Sequence, residues 1–73
     1  MELNIDNNKF TIDRLYGESN KVFNERLEFI KKVYQDTKNS KEAINLSKIW
    51  VNFKYNQCRY SPQVYGKLKK YLN

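Results

Sequence analysis

The side chains best equipped for chemistry in this sequence are cations interleaved with aromatic rings. No acid follows Glu42, and Lys48, Lys54, Arg59, Lys67, Lys69 and Lys70 are interspersed with Trp50, Phe53, Tyr55, Tyr60, Tyr65 and Tyr71. Lys and Arg meet phosphates, and Tyr and Trp stack on unpaired bases, so this pattern suits a nucleic-acid surface. Charge is divided unevenly along the chain. Residues 1–36 hold six basic and seven acidic side chains, whereas residues 37–73 hold eight basic and one acidic. The net charge of +6 therefore resides in the second half. The same cations suit an acidic protein surface, and a net positive charge also serves solubility.

Catalytic chemistry has little to work with. The chain contains no histidine, which removes Ser-His-Asp and Cys-His nucleophilic sites and histidine-based zinc sites. Cys58 is the one cysteine, so it has no internal disulfide partner and no resolving thiol, and it reads as a passive turn residue. Glu25 and Glu28 share a helix face, but with lysines one turn away they read as solvated groups. There is no glycine-rich phosphate loop, Cys-x-x-Cys pair or EF-hand loop. No enzyme, no metal and no cofactor are expected.

The elements that must position the basic half follow from periodicity. At about 100° per residue, Val22, Phe23, Leu27, Phe29, Ile30, Val33 and Tyr34 fall within an arc of about 160°, which predicts a helix over 20–36 capped by Ser19 or Asn20. Arg26 points near the middle of that apolar arc. Such a residue either runs its stem along the core to a solvated head or pairs with an acidic group, for instance on the N-terminal segment. A polar connector, 36–40, leads to a second helix over 41–56 with Ser40 as its cap. Its apolar residues wrap about 240° of the circumference, the mark of a central helix. The alternation of Ile49, Val51, Phe53 and Tyr55 leaves a strand as the rival. Ser61-Pro62 starts a third helix, 62–72, that presents Gln63, Lys67 and Lys70 as a helix-turn-helix would to a groove. Trp50, Phe53, Tyr65 and Tyr71 fall at core spacings. Tyr60, beside Arg59 in the turn, is the aromatic expected at the surface.

Residues 1–17 read as a hairpin or arm. Leu3 and Ile5 alternate on one side, Phe10 and Ile12 on the other, with Asp6-Asn7-Asn8-Lys9 between them; a disordered start is the competitor. Gly17 marks a break before the first helix. The expected whole is a mainly α, compact three-helix domain, 1–73, with a short N-terminal β-hairpin or arm. A chain of 73 residues supports one small core and no second domain. The start of the sequence lacks the pattern of a signal peptide, and no run of 18 apolar residues occurs. With the lone cysteine, this predicts an intracellular, reducing location and no membrane contact.

The segments Phe10-Thr-Ile-Asp-Arg-Leu-Tyr-Gly17, Val22-Phe-Asn-Glu-Arg-Leu-Glu-Phe-Ile30, Leu46-Ser-Lys-Ile-Trp-Val51 and Cys58-Arg-Tyr-Ser-Pro62 resemble small uncharacterised proteins of amoeba-infecting giant DNA viruses. The resemblance implies a viral source, hence host cytoplasm or virion, and carries no activity. The abundance of Lys, Asn, Tyr and Ile fits an AT-rich gene. From the residues, the leading expectation is a non-catalytic nucleic-acid-binding protein that uses Lys48, Lys54, Arg59, Tyr60, Gln63, Lys67, Lys69 and Lys70. The alternative is a protein-interaction module or assembly subunit, with a homodimer among its forms because the second helix is so broadly apolar.

Overall fold

The computed structural model describes residues 2–5 and 7–72. Two short strands precede three helices: β1 (Glu2–Ile5), β2 (Asn8–Thr11), α1 (Asn20–Thr37), α2 (Ser40–Tyr55) and α3 (Pro62–Lys69). The architecture is mainly α with an N-terminal antiparallel hairpin. The hairpin pairs Leu3 with Phe10 and Ile5 with Asn8, so its turn is two residues shorter than expected from the sequence. Asn7 takes φ 66°, the left-handed conformation that asparagine tolerates. Asp6 lies outside the described residues. Leu3 and Ile5 are buried, and Ile12, beyond the end of β2 rather than within it, is buried too.

A lone hairpin is marginal in water. This one leans on α1: Phe10 meets the Tyr34 ring edge-on at 5.1 Å, and Asn8 donates a hydrogen bond to the Tyr34 hydroxyl at 2.7 Å.

Ser19 caps α1 by accepting from the Val22 amide, and Lys38 closes it at φ 55° with its amide on the Tyr34 carbonyl. The second helix departs from expectation at its start. Asn39, not Ser40, accepts from the Glu42 amide, and Ser40 is the first helical residue. Both residue types cap well; the Thr37 hydroxyl accepts from the Asn39 amide and draws Asn39 into the capping position. At 49–55 the rival strand reading is not observed, and the expected helix is. Its cause is tertiary: α1 and α2 run antiparallel, Trp50 stacks on Phe29 at 5.1 Å, and Ala43, Leu46, Trp50 and Val51 are buried against α1.

The third helix is shorter than the expected 62–72. Ser61 caps it and Pro62 occupies its first turn, but it stops at Lys69, and Tyr71 and Leu72 follow in turns that fold back on Leu68 and Lys69. Leu68 is its one buried residue among those described. Tyr65, expected in the core, is instead exposed and leans on Phe53 at 5.4 Å, because so short a helix covers α2 only with its Leu68 face.

Arg26 is the most consequential core residue. Its side chain and that of Glu18 are each 1% exposed. Its Nε donates to Glu18 Oε2 at 2.8 Å and Nη2 to Glu18 Oε1 at 3.2 Å, while Nη2 also reaches the Asp13 carbonyl and Nη1 the Ser47 hydroxyl. The Phe23 ring lies 5.4 Å from the guanidinium carbon. Of the two sequence readings, pairing with an acid of the N-terminal segment is the observed one.

Removing one member of such a pair strands the other charge in the core, at roughly 3–5 kcal/mol. That equals the whole net stability of a core this small, about 3–5 kcal/mol. Arg26→Ala should therefore lose most of its helical circular dichroism at 25 °C, while Glu18→Leu with Arg26→Met, which removes both charges, should stay folded. A well-folded Arg26→Ala chain with unchanged denaturant midpoint would refute the assignment.

Candidate partner-binding surface

The basic residues singled out in the sequence do not form one cationic face. Lys54 turns toward α1, where its ammonium lies 3.9 Å from Glu25 and over the rings of Trp50 and Tyr55 at 5.1 and 5.3 Å. The Tyr55 hydroxyl donates to the same Glu25 carboxylate, which pushes the phenol pKa upward. Lys70 likewise turns toward α1. Asp36 Oδ2 accepts from Lys70 Nζ at 3.2 Å and from the Tyr71 hydroxyl at 2.6 Å. Two of the candidate cations are thus engaged by acids from the nearly neutral first half.

Lys48 sits apart from the others. It borders a cleft formed with Thr11, Asp13, Leu15 and Arg26 at the hairpin end of the molecule. Lys67 lines a groove between α2 and α3, floored by Leu46, Ile49 and Val64. Arg59, Gln63 and Lys69 are exposed. Among the described residues, Lys48, Arg59, Lys67 and Lys69 make no ion pair.

Arg59 and Tyr60 lie on the connection between α2 and α3, and Gln63 follows in the first turn of α3. That connection is pinned at both ends. Gln57 takes φ 55°, the Cys58 amide donates to the Asn52 carbonyl at 3.1 Å, and Ser61 caps α3. Tyr60, expected to be the most exposed aromatic, is half-buried. The aromatic that projects fully into solvent is Tyr16 in the segment before α1, followed by the partly exposed Tyr55 and Tyr65. Sequence reasoning passed over Tyr16; the Tyr-Gly pair just ahead of a capped helix was the available signal.

No group of three metal-ligating side chains exists among the described residues, and no helix there is long and apolar enough to cross a membrane. What the surface offers is rings, amides and cations.

A family model described as the XRN-Two binding domain (XTBD) matches residues 11–72. The chain belongs to the XTBD family. No curated protein and no solved structure matches it. The match covers all three helices and the 12–19 segment that carries Glu18, leaving only the hairpin largely outside it. Membership corrects the resemblance to giant-virus proteins: the shared Asn, Lys and Tyr usage that underlay it is compositional, whereas the family match spans the helical framework. An XTBD is a binding domain, so the chain is a protein-interaction module, which favours the alternative reading over nucleic acid.

The Asp36–Tyr71–Lys70 contact makes a pH test available. The hydrogen bond from Tyr71 and the Lys70 ammonium hold the Asp36 carboxyl below its ordinary value of 3.8. The same hydrogen bond and partial burial push Tyr71 from 10.0 up to about 12. A phenol whose folded pKa is raised contributes stability in full below pH 10 and loses it as pH climbs toward 12. Asp36, shifted the other way, contributes above its unfolded pKa near 3.8 and loses that contribution as pH falls through its lower folded value. Alkaline titration followed by absorbance should show the latest phenol ionising near pH 12, and Asp36→Asn should bring it back toward 10. An unchanged profile in the variant would show that the contact does not persist in solution.

Proposed function

We propose that the chain is a docking module for an XRN-Two protein, an exoribonuclease, and that it binds this partner without performing catalysis itself. The observation that carries the reading is the family match over residues 11–72. The surface put forward is the α2–α3 connection with the start of α3: Arg59, Tyr60 and Gln63, continued by Lys67 and Lys69. Arg and Tyr are enriched where interfaces concentrate their energy, and a half-buried Tyr60 has already surrendered part of its rotamer freedom before binding. The pinned connection also limits the ordering that association would otherwise demand.

The cations left without acidic partners suit a docking region of negative potential on the XRN-Two protein. Such charges act mainly on the association rate and its salt dependence. The aromatic contact governs dissociation.

Titration calorimetry of the chain against a purified XRN-Two protein should give a saturable complex with one copy of each. Tyr60→Ala should weaken it by at least about 2 kcal/mol, or roughly thirtyfold, with the fold retained. Arg59→Ala should act in the same direction, and Lys67→Ala with Lys69→Ala should mainly slow association at low salt. If the wild-type chain forms no complex, and is instead retained on DNA or RNA with an affinity that falls steeply with salt, the proposal fails in favour of a nucleic-acid binder.

A further inference from the structure

The turn Leu15-Tyr16-Gly17-Glu18 is built to a degree that its role in the chain connection does not require. The Glu18 amide donates to the Leu15 carbonyl at 3.0 Å, closing a four-residue turn. Gly17 at its third position takes φ 75°, the left-handed conformation for which type II turns use glycine. The closure is then doubled, since Glu18 Oε1 accepts from the Leu15 amide, also at 3.0 Å. The same carboxylate is held by Arg26, and the Glu18 carbonyl accepts from Arg14 Nη1 at 3.2 Å. Four side-chain hydrogen bonds thereby hold the turn beside its own backbone closure.

Three of the four residues have a structural reason to be what they are. Leu15 packs against the core, Gly17 supplies the conformation and Glu18 supplies the pair. Tyr16 has none. The residue is 107% exposed, and its side chain takes part in no ring contact, hydrogen bond or cation contact among the described residues. The second position of such a turn accepts most residues, so the fold does not call for a large aromatic there.

Beside Tyr16 lies a shallow groove floored by Val22 and Val51 and bordered by Tyr55 and Asn56. Asn52 lines it too, and the Asn52 carbonyl accepts the Cys58 amide at the start of the α2–α3 connection. The groove therefore runs from the Tyr16 turn to the end of α2, where the α2–α3 connection begins.

We infer that this turn is a second docking element, which presents Tyr16 as a preformed aromatic anchor for an apolar pocket of the XRN-Two protein next to the contact made by the α2–α3 connection. The inference rests on the docking function proposed above. A large ring on a locked backbone offers contact area with little ordering on association. Its hydroxyl remains free to donate at the pocket's rim. The groove admits the edge of that pocket, so both contact elements engage one partner at once.

The test compares wild type, Tyr16→Ala, Tyr16→Phe and Gly17→Ala, with Lys9→Ala on the exposed hairpin as control, in titrations against a purified XRN-Two protein. Because Tyr16 touches nothing, Tyr16→Ala should keep the wild-type melting temperature yet bind at least about tenfold more weakly. Tyr16→Phe should recover most of that loss. Gly17→Ala should weaken binding with the ring present, through the turn conformation alone, since a methyl at this position meets no neighbouring atom. Wild-type affinity in Tyr16→Ala overturns this inference and leaves the docking function standing. Absence of binding by the wild-type chain overturns both. Light scattering supplies the remaining arm: a self-association lost in Tyr16→Ala, with partner affinity unchanged, would mean that a second copy of this chain is the occupant.

Discussion

One buried guanidinium organises this small domain. Arg26 reaches the Glu18 carboxylate and the Asp13 carbonyl in the segment before α1, and the Ser47 hydroxyl on α2, from a position inside the apolar face of α1. Moving a charged pair out of water costs several kcal/mol per ion unless the remaining donors and acceptors are filled. Here they are filled: no buried side-chain nitrogen or oxygen lacks a partner among the described residues. Lysine could not substitute, because the planar fork meets two carboxylate oxygens and a carbonyl in fixed directions. The consequence is that an irregular segment, which hydrophobic burial alone would hold loosely, is tied by hydrogen bonds to α1 and, through Arg26, to α2.

From that node the remainder of the structure divides into a held side and a free side. The hairpin closes over the far end of α1 through Phe10 and Asn8 on Tyr34. Acids of α1, Glu25 and Asp36, draw Lys54, Tyr55, Lys70 and Tyr71 inward, and Phe29 gathers Trp50 and Tyr71. Arg59, Tyr60, Lys67, Lys69 and Tyr16 are left outside this web, on the α2–α3 connection, α3 and the turn before α1, and Lys48 stands apart on α2.

Much of the fold was legible because its determinants are local. The apolar arc of α1 and the Ser61-Pro62 start of α3 are written within a few residues of where they act. The hairpin was legible in outline, but its turn length was not, since Ile5 and Asn8 pair for reasons of register. Length and a capping residue favoured helix over strand at 49–55, and the stack of Trp50 on Phe29 supplies the tertiary contact that holds it there. Distant pairing hid the fate of the cations: Lys70 finds Asp36 across 34 residues, and nothing near Lys70 announces it. Arg26 was conspicuous on its apolar face, yet only the fold reveals that Glu18 answers it. The cap at Asn39 shows the limit of residue type when two good caps are adjacent. As for function, composition pointed to a basic binding surface but could not separate phosphate from protein; the family match did so.

The Arg26–Glu18 pair locks the 12–19 segment, and amide hydrogen exchange on the free chain reads that lock directly. The Leu15 and Glu18 amides, which close the turn, should exchange as slowly as amides in the middle of α1, and Arg26→Lys should speed both selectively while α1 and α2 stay protected. Fast exchange at Leu15 and Glu18 in the wild-type chain, with both helices still protected, would show that the buried pair does not organise the segment and would contradict the account.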